Sequence, residues 1–130
     1  MVILDASFII DLLKGNPSAS RKARELDESG KDKYLTSVTA MELYYGALSS
    51  GRKEETIKFM SLLMSLNKVS FEFNGSIKAA EIKYELKKKG MIIDVEDIMQ
   101  AGIAKTTGQK ILTKNVKHFE RVDGLKVESY

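Results

Sequence analysis

An α/β domain built on a mainly parallel sheet of four to five strands, flanked by helices, is the architecture this chain predicts. Three observations predict it. Short runs of branched apolar residues alternate with longer stretches of helical spacing, the pattern of strands joined by crossover helices. The first run, Val2-Ile3-Leu4, ends on a carboxylate, Asp5. That puts an acid at the carboxyl edge of a strand, where open parallel sheets hold ligands. Glycines fall where the helical stretches stop, at Gly30, Gly51, Gly90 and Gly108, as helix ends that turn left-handed require.

The elements follow in order. Val2–Leu4 reads as a buried strand. The small residues Ala6 and Ser7 lead into an apolar run, Phe8-Ile9-Ile10 and Leu12-Leu13. Asn16-Pro17 supplies an N-cap and a first helical position, and the helix runs through Ala23 and Leu26 to Gly30. Lys33–Thr36 is the second strand. Ser37 or Thr39 caps a helix carrying Met41, Glu42, Leu43, Tyr44, Ala47 and Leu48. The next helix spans Lys53–Leu66, and Ile57, Phe59, Met60, Leu62, Leu63, Met64 and Leu66 make it more apolar than one face needs. It is therefore either deeply buried or a subunit interface. Val69–Phe71 is the third strand, and Asn74 caps a helix that closes on Lys87-Lys88-Lys89, cations suited to a helix C-terminus. Asp94 or Val95 opens a further helix whose Ile98, Ala101, Gly102 and Ala104 face inward. A fourth strand over Gln109–Thr113, a turn or short helix over Asn115–Phe119, and a fifth strand over Leu125–Val127 complete the chain.

At 130 residues the sequence suits one domain, residues 1–130, with a core that needs no staples. It has no cysteine, which excludes disulfides and thiolate metal sites. No apolar run approaches the ~18 residues of a membrane span, so the expected setting is soluble and cytoplasmic, with no membrane partner. A single histidine, His118, excludes a multi-histidine metal site and leaves oxygen donors, which favour Mg²⁺ or Mn²⁺. The net charge of +3 permits a polyanionic partner without requiring one.

Four polar positions share one predicted rim. Asp5 follows the first strand, Glu42 lies early in the helix after the second, Asp97 opens the helix from about residue 95, and Asn115 follows the fourth strand. Each has an ordinary reading. Asp5 suits an N-cap, Thr39-x-x-Glu42 a capping box, Asp97 an acid at a helix N-terminus and Asn115 a turn. Capping does not explain why all four fall on the same edge. Clustered acids repel, and one takes up a proton unless a hard divalent cation compensates them. Such an ion on a mildly basic protein points to phosphodiester hydrolysis.

The ordered motifs make this specific. Leu4-Asp5-Ala6-Ser7 comes first, then Thr36-Ser37-x-x-x-x-Glu42-Leu43-x-x-Gly46. Gly90 with Asp97-Ile98-x-x-Ala101 follows. Ile111-Leu112-Thr113-Lys114-Asn115-x-x-x-Phe119-Glu120-Arg121-Val122 and Gly124-Leu125-x-Val127 close the set. Together they resemble the PIN-domain ribonucleases of the VapC toxin type, from end to end of the chain. The resemblance implies a single PIN-like domain and metal-dependent endonucleolytic cleavage of RNA. Asp5, Glu42 and Asp97 match the acids that hold Mg²⁺ or Mn²⁺, and Asn115 falls at a fourth position that is often acidic. His118 stands where related toxins often carry a further acid. Ser7, Thr113 and Asp94 are supporting candidates, Asp94 also suiting an N-cap. Lys114, Lys117 and Arg121 are candidates to steady the RNA backbone.

The resemblance further implies a homodimer held inactive by a cognate antitoxin protein. Tyr44, Tyr45, Leu48, Met60, Leu63 and Met64 are the candidate dimer face or antitoxin groove. A catalytically weak or inactive PIN-like module that binds RNA or protein is the alternative, given the neutral Asn115. A signalling receiver domain would need a phospho-acceptor Asp after a middle strand, which Val69-Ser70-Phe71-Glu72 lacks. A haloacid-dehalogenase-like phosphatase would need Asp-x-Asp where Asp5-Ala6-Ser7 stands.

Overall fold

The computed structural model describes residues 1–130. In chain order the elements are β1 (Val2–Leu4), α1 (Ala6–Leu13), α2 (Pro17–Glu28), β2 (Lys33–Thr36), α3 (Ser37–Ser49), α4 (Lys53–Ser65), β3 (Asn67–Val69), α5 (Phe73–Lys88), α6 (Val95–Thr107), β4 (Lys110–Leu112), α7 (Val116–Phe119) and β5 (Val127–Glu128). The strands form one five-stranded sheet in the order β3-β2-β1-β4-β5, and every neighbouring pair is parallel. The expected α/β class, mainly parallel sheet and flanking helices are thus present.

The strand order fixes where a site can form. From β1 the chain builds outward through β2 and β3, then returns to the other side of β1 for β4 and β5. The direction of winding reverses between β1 and β4, and a crevice opens at the carboxyl ends of strands at such a reversal. Asp5 stands there, its N–H donating to Leu112 O at 3.0 Å and so carrying the β1–β4 ladder one residue past the strand.

Both faces of the sheet are covered. Alternate residues point to opposite faces, so Val2 and Leu4 pack with Phe8, Ile9, Leu43, Leu63 and Leu66 under α1, α3 and α4. Ile3 and Ile111 pack on the other side with Ile98, Ala101, Ile103 and Ala104 of α6 and Ala79 and Ile82 of α5. The inward set predicted for α6 is buried as expected.

Several local expectations shift. The third strand is Asn67–Val69 rather than Val69–Phe71, because Phe71 N–H turns away to donate to Ser37 Oγ at 3.0 Å. The fifth is Val127–Glu128 rather than Leu125–Val127, since Leu125 N–H closes a turn onto Val122 O. Helix α5 starts at Phe73, with Glu72 and not Asn74 at its N-cap. Thr36, rather than Ser37 or Thr39, caps α3, its hydroxyl accepting from Thr39 N at 3.0 Å. Helix α4 is not deeply buried: Leu63 and Leu66 are in the core, while Ile57, Met60 and Met64 are exposed.

Helices α5 and α6 touch through backbone. A Cβ built on Gly102 would lie 2.5 Å from Gly75 O and 3.0 Å from Ala79 Cβ, so only glycine permits this approach. Gly102→Ala should cost about 1–3 kcal/mol by overpacking. Gly46→Ala, mid-helix with nothing within 4 Å of the added methyl, should gain about 0.5–1 kcal/mol. Urea denaturation of the two variants beside wild type checks both signs.

Candidate active site

Asp5 occupies the N-cap position of α1, yet its carboxylate caps nothing. It is turned into the crevice and held at both oxygens. Oδ2 accepts from Ser7 Oγ at 2.8 Å and Thr113 Oγ1 at 2.7 Å, and Oδ1 accepts from Gln100 Nε2 at 3.0 Å. The residue is 5% exposed. Ser7 Oγ in turn accepts from Lys114 N at 3.1 Å, and Thr113 Oγ1 from Asn115 N at 2.9 Å. Each hydroxyl therefore spends its proton on Asp5 and a lone pair on the loop after β4.

Gln100, which the sequence did not single out, reaches Asp5 at the crevice. It is buried on α6, three residues beyond Asp97. Thr39 Oγ1 donates to its Oε1 at 2.6 Å, which fixes the amide so that the NH₂ points at Asp5. The chain Thr39–Gln100–Asp5 links the starts of α3 and α1 to the middle of α6 through one buried polar path. A lone glutamine inside a helix carries no local signature, so only the three-dimensional contact reveals it.

Glu42 and Asp97 are half-buried and share one electrostatic field with Asp5. Burial first, and then the Asp5 charge, pushes the Glu42 carboxyl up to about 7, with Glu96, Asp97 and Asp94 adding to the effect. Burial and then Asp5 push Asp97 up to about 6, Asp94 adding further and His118 opposing. The Thr39–Glu42 capping box does not form, because Thr39 N–H is already bonded to Thr36. Asp94 takes the N-cap position of α6 without a capping bond from its side chain. Glu96, also absent from the sequence reading, belongs to the same acidic field.

The remaining candidates divide. Asn115 sits exposed at the N-cap position of α7, its side chain capping nothing. His118 Nδ1 lies 3.6 Å from Asp97 Oδ2 and is buried without a hydrogen-bond partner. Lys114 Nζ is 3.4 Å from Asp11 Oδ2, and Tyr130 OH donates to the same oxygen at 2.7 Å. Arg121 is tied to the loop before α6, donating to Ile92 O at 3.1 Å. Lys117 is exposed. No three of the acidic and histidine side chains surround a common point as a preformed metal cage does.

Comparison with known proteins follows this geometry. The family model described as "PIN domain" matches residues 2–125. The tRNA(fMet)-specific endonuclease VapC of Salmonella typhimurium is 30% identical over 129 residues, 98% of this chain and 96% of the relative. Its namesake from Shigella flexneri is 32% identical over the same shares. Among solved structures, VapBC2 from Rickettsia felis, bound to a DNA fragment from their promoter, contains a chain with a TM-score of 0.90. It is 25% identical, over 100% of this chain and 99% of that one. The DNA-bound VapBC of Salmonella typhimurium gives a TM-score of 0.81 at 27% identity, over 98% and 96%.

The raised carboxyls set a pH dependence. A folded-state pKa above the unfolded value means that the folded form binds protons more tightly, so stability falls as pH rises. For Glu42 and Asp97 that window runs from their ordinary values of 4.5 and 3.8 up to about 7 and about 6. Glu128 runs the other way. Hydrogen bonds from Lys22 and Lys110 hold it down at about 2, so its contribution is lost only as pH falls below 4.5. In chelator, the melting temperature should therefore be highest near about pH 4–5 and drop towards about pH 8. Asp97→Asn should flatten the drop and melt above wild type at the alkaline end.

Proposed function

The chain belongs to the PIN domain family as a VapC-type endoribonuclease, the toxin component of a type II toxin–antitoxin pair, and we propose that it hydrolyses RNA at the crevice between β1 and β4 with Asp5, Glu42 and Asp97 as its working acids. The observation that carries this reading is the gathering of Glu42 and Asp97 beside Asp5 at one half-buried crevice, where burial first and the neighbouring charges second lift two of the carboxyls towards neutrality. Acids kept together at that cost call for a cation. The donor set suits a hard divalent ion, Mg²⁺ or Mn²⁺, which takes one or two carboxylates and keeps several waters. The absence of a closed three-ligand cage agrees with that habit. The family is typically metal-dependent. Asp5 and Asp97 would hold the ion, which when bound lowers the pKa of coordinated water and offsets charge on the phosphoryl oxygens.

The residues then have separate tasks. Asp5 is the fixed point, both its oxygens held by Ser7, Thr113 and Gln100. Glu42, with its carboxyl near neutrality, orients the attacking water and accepts its proton. Attack on phosphorus in line with the leaving group gives a 5′-phosphate and a 3′-hydroxyl. Asn115 presents an amide to the phosphate or to water beside it. Lys114 and Lys117 flank the rim and steady the RNA backbone, with Arg121 at its far side. Transfer RNA is the substrate class we assign, since two relatives are tRNA(fMet)-specific endonucleases. No helix is long and apolar enough to cross a membrane, and we place the protein in the cytoplasm with its substrate.

A homodimer and a cognate antitoxin complete the proposal. Solved VapBC relatives are toxin–antitoxin assemblies. On this chain Tyr44, Tyr45, Leu48, Met60 and Met64 expose apolar surface on α3 and α4, beside a groove of about 540 Å³ lined by Met41, Leu63 and Val69. Leu63 is in the core at 5% exposure and supports this face from beneath instead of forming it.

With Mn²⁺, wild type should cut a tRNA pool, whereas Asp5→Asn and Asp97→Asn should lose at least about a hundredfold in rate, the range of one lost electrostatic contact in catalysis. Undiminished cutting by either variant defeats the assignment. Lys114→Ala with Lys117→Ala should lower the slope of log affinity against log salt by about 1–2, measured by filter binding to RNA. Sedimentation of Met60→Lys with Met64→Lys should show a lighter species than wild type, and an unchanged sedimentation coefficient removes that face from the dimer.

A further inference from the structure

Building on the reading of the crevice as a divalent-ion site, we propose that His118 is itself a ligand of that ion through Nδ1, and that it shifts the site's preference from Mg²⁺ towards Mn²⁺. Two observations carry this. Nδ1 is buried and has no hydrogen-bond partner, a condition that buried polar atoms almost always avoid. It faces Asp97 Oδ2 at 3.6 Å, too far for a hydrogen bond. Two donors on one ion, each at about 2.0–2.2 Å, stand roughly 3 Å apart when adjacent and about 4 Å when opposite. The observed spacing lies between those limits.

The backbone holds the ring there. Phe119, fully buried, anchors the one-turn helix α7 in the core, and this leaves the preceding residue facing α6 at Asp97. The ring is 44% exposed, so its other edge reaches solvent while Nδ1 stays inside. Imidazole nitrogen is a softer donor than the oxygens around it. Mg²⁺ gains little from it and keeps its waters, whereas first-row transition ions accept it. A site of carboxylates alone would not make that distinction.

Because His118 is the chain's single histidine, histidine labelled with ¹⁵N marks this side chain alone in tag-free protein. Pulsed electron paramagnetic resonance of bound Mn²⁺ should show a ¹⁵N coupling in labelled wild type and none in His118→Leu. Calorimetric titration should show the Mn²⁺-to-Mg²⁺ affinity ratio falling about tenfold or more in His118→Leu, with Mg²⁺ affinity little changed, and His118→Glu should raise the affinity for Mg²⁺ without restoring that ratio. Mn²⁺ bound by wild type without nitrogen coupling overturns the role of His118 and leaves the carboxylate site standing. Mn²⁺ not bound by wild type, or bound equally well by Asp5→Asn and Asp97→Asn, overturns the ion site itself and His118 with it. The coupling in wild type decides the matter even where a variant fails to fold.

Discussion

Everything at the crevice depends on how one carboxylate is held. Asp5 accepts from Ser7, Thr113 and Gln100, and these donors come from α1, the end of β4 and α6. A buried carboxylate is costly unless hydrogen bonds replace its water, and here three of them do. The same bonds tie together the loop after β1, the loop after β4 and the middle of α6. Removing Asp5 would leave the hydroxyls of Ser7 and Thr113 and the Gln100 amide without their acceptor, inside a core that cannot hydrate them. The fold and the site are therefore joined at one side chain.

Glu42 and Asp97 meet the opposite condition. Burial and the neighbouring acids act on them without comparable compensation, and their carboxyls are lifted to about 7 and about 6. Strain of this kind is common where function and stability pull apart. It is tolerable because the rest of the molecule is conventionally packed, with apolar clusters on both faces of the sheet. The switch between β1 and β4 concentrates the conflict in one place and leaves the strands out of it.

What the sequence revealed follows from how local each signal is. Helix α2 was legible because Asn16 and Pro17 specify its start within two residues, and the Asn16 side chain does accept from Ala19 N. The acids were legible because each follows a strand or opens a helix, and a parallel sheet brings such positions to one rim. The edge strands β3 and β5 were displaced by up to two residues because their extent is set by ladder partners, Tyr34–Thr36 and Ile111–Leu112. Gln100 and Glu96 were invisible for a related reason. Gln100 has no spacing or cap that marks it, and Glu96, though an acid in the first turn of α6 like Asp97, matters only through the acids that lie opposite. The apolar surplus of α4 was visible, but its division between a buried Leu63 and an exposed Met64 is settled by the angle at which the helix meets the sheet.

The contrast between the pinned and unpinned acids also accounts for the lack of a ready cage. A site with every ligand fixed at coordination distance would force several negative charges together before any cation arrived, and the repulsion would fall on the folding of the empty protein. Here one acid is fixed by neutral donors, and the other two are in part protonated near neutral pH. On the proposed reading, a divalent cation would be held by ligands that give up protons to it, so ion binding and proton release would be coupled. A parallel sheet offers that contrast naturally. The residue directly after the central strand is tied to β4 by its N–H to Leu112 O, while Glu42 and Asp97 sit within the first two turns of α3 and α6.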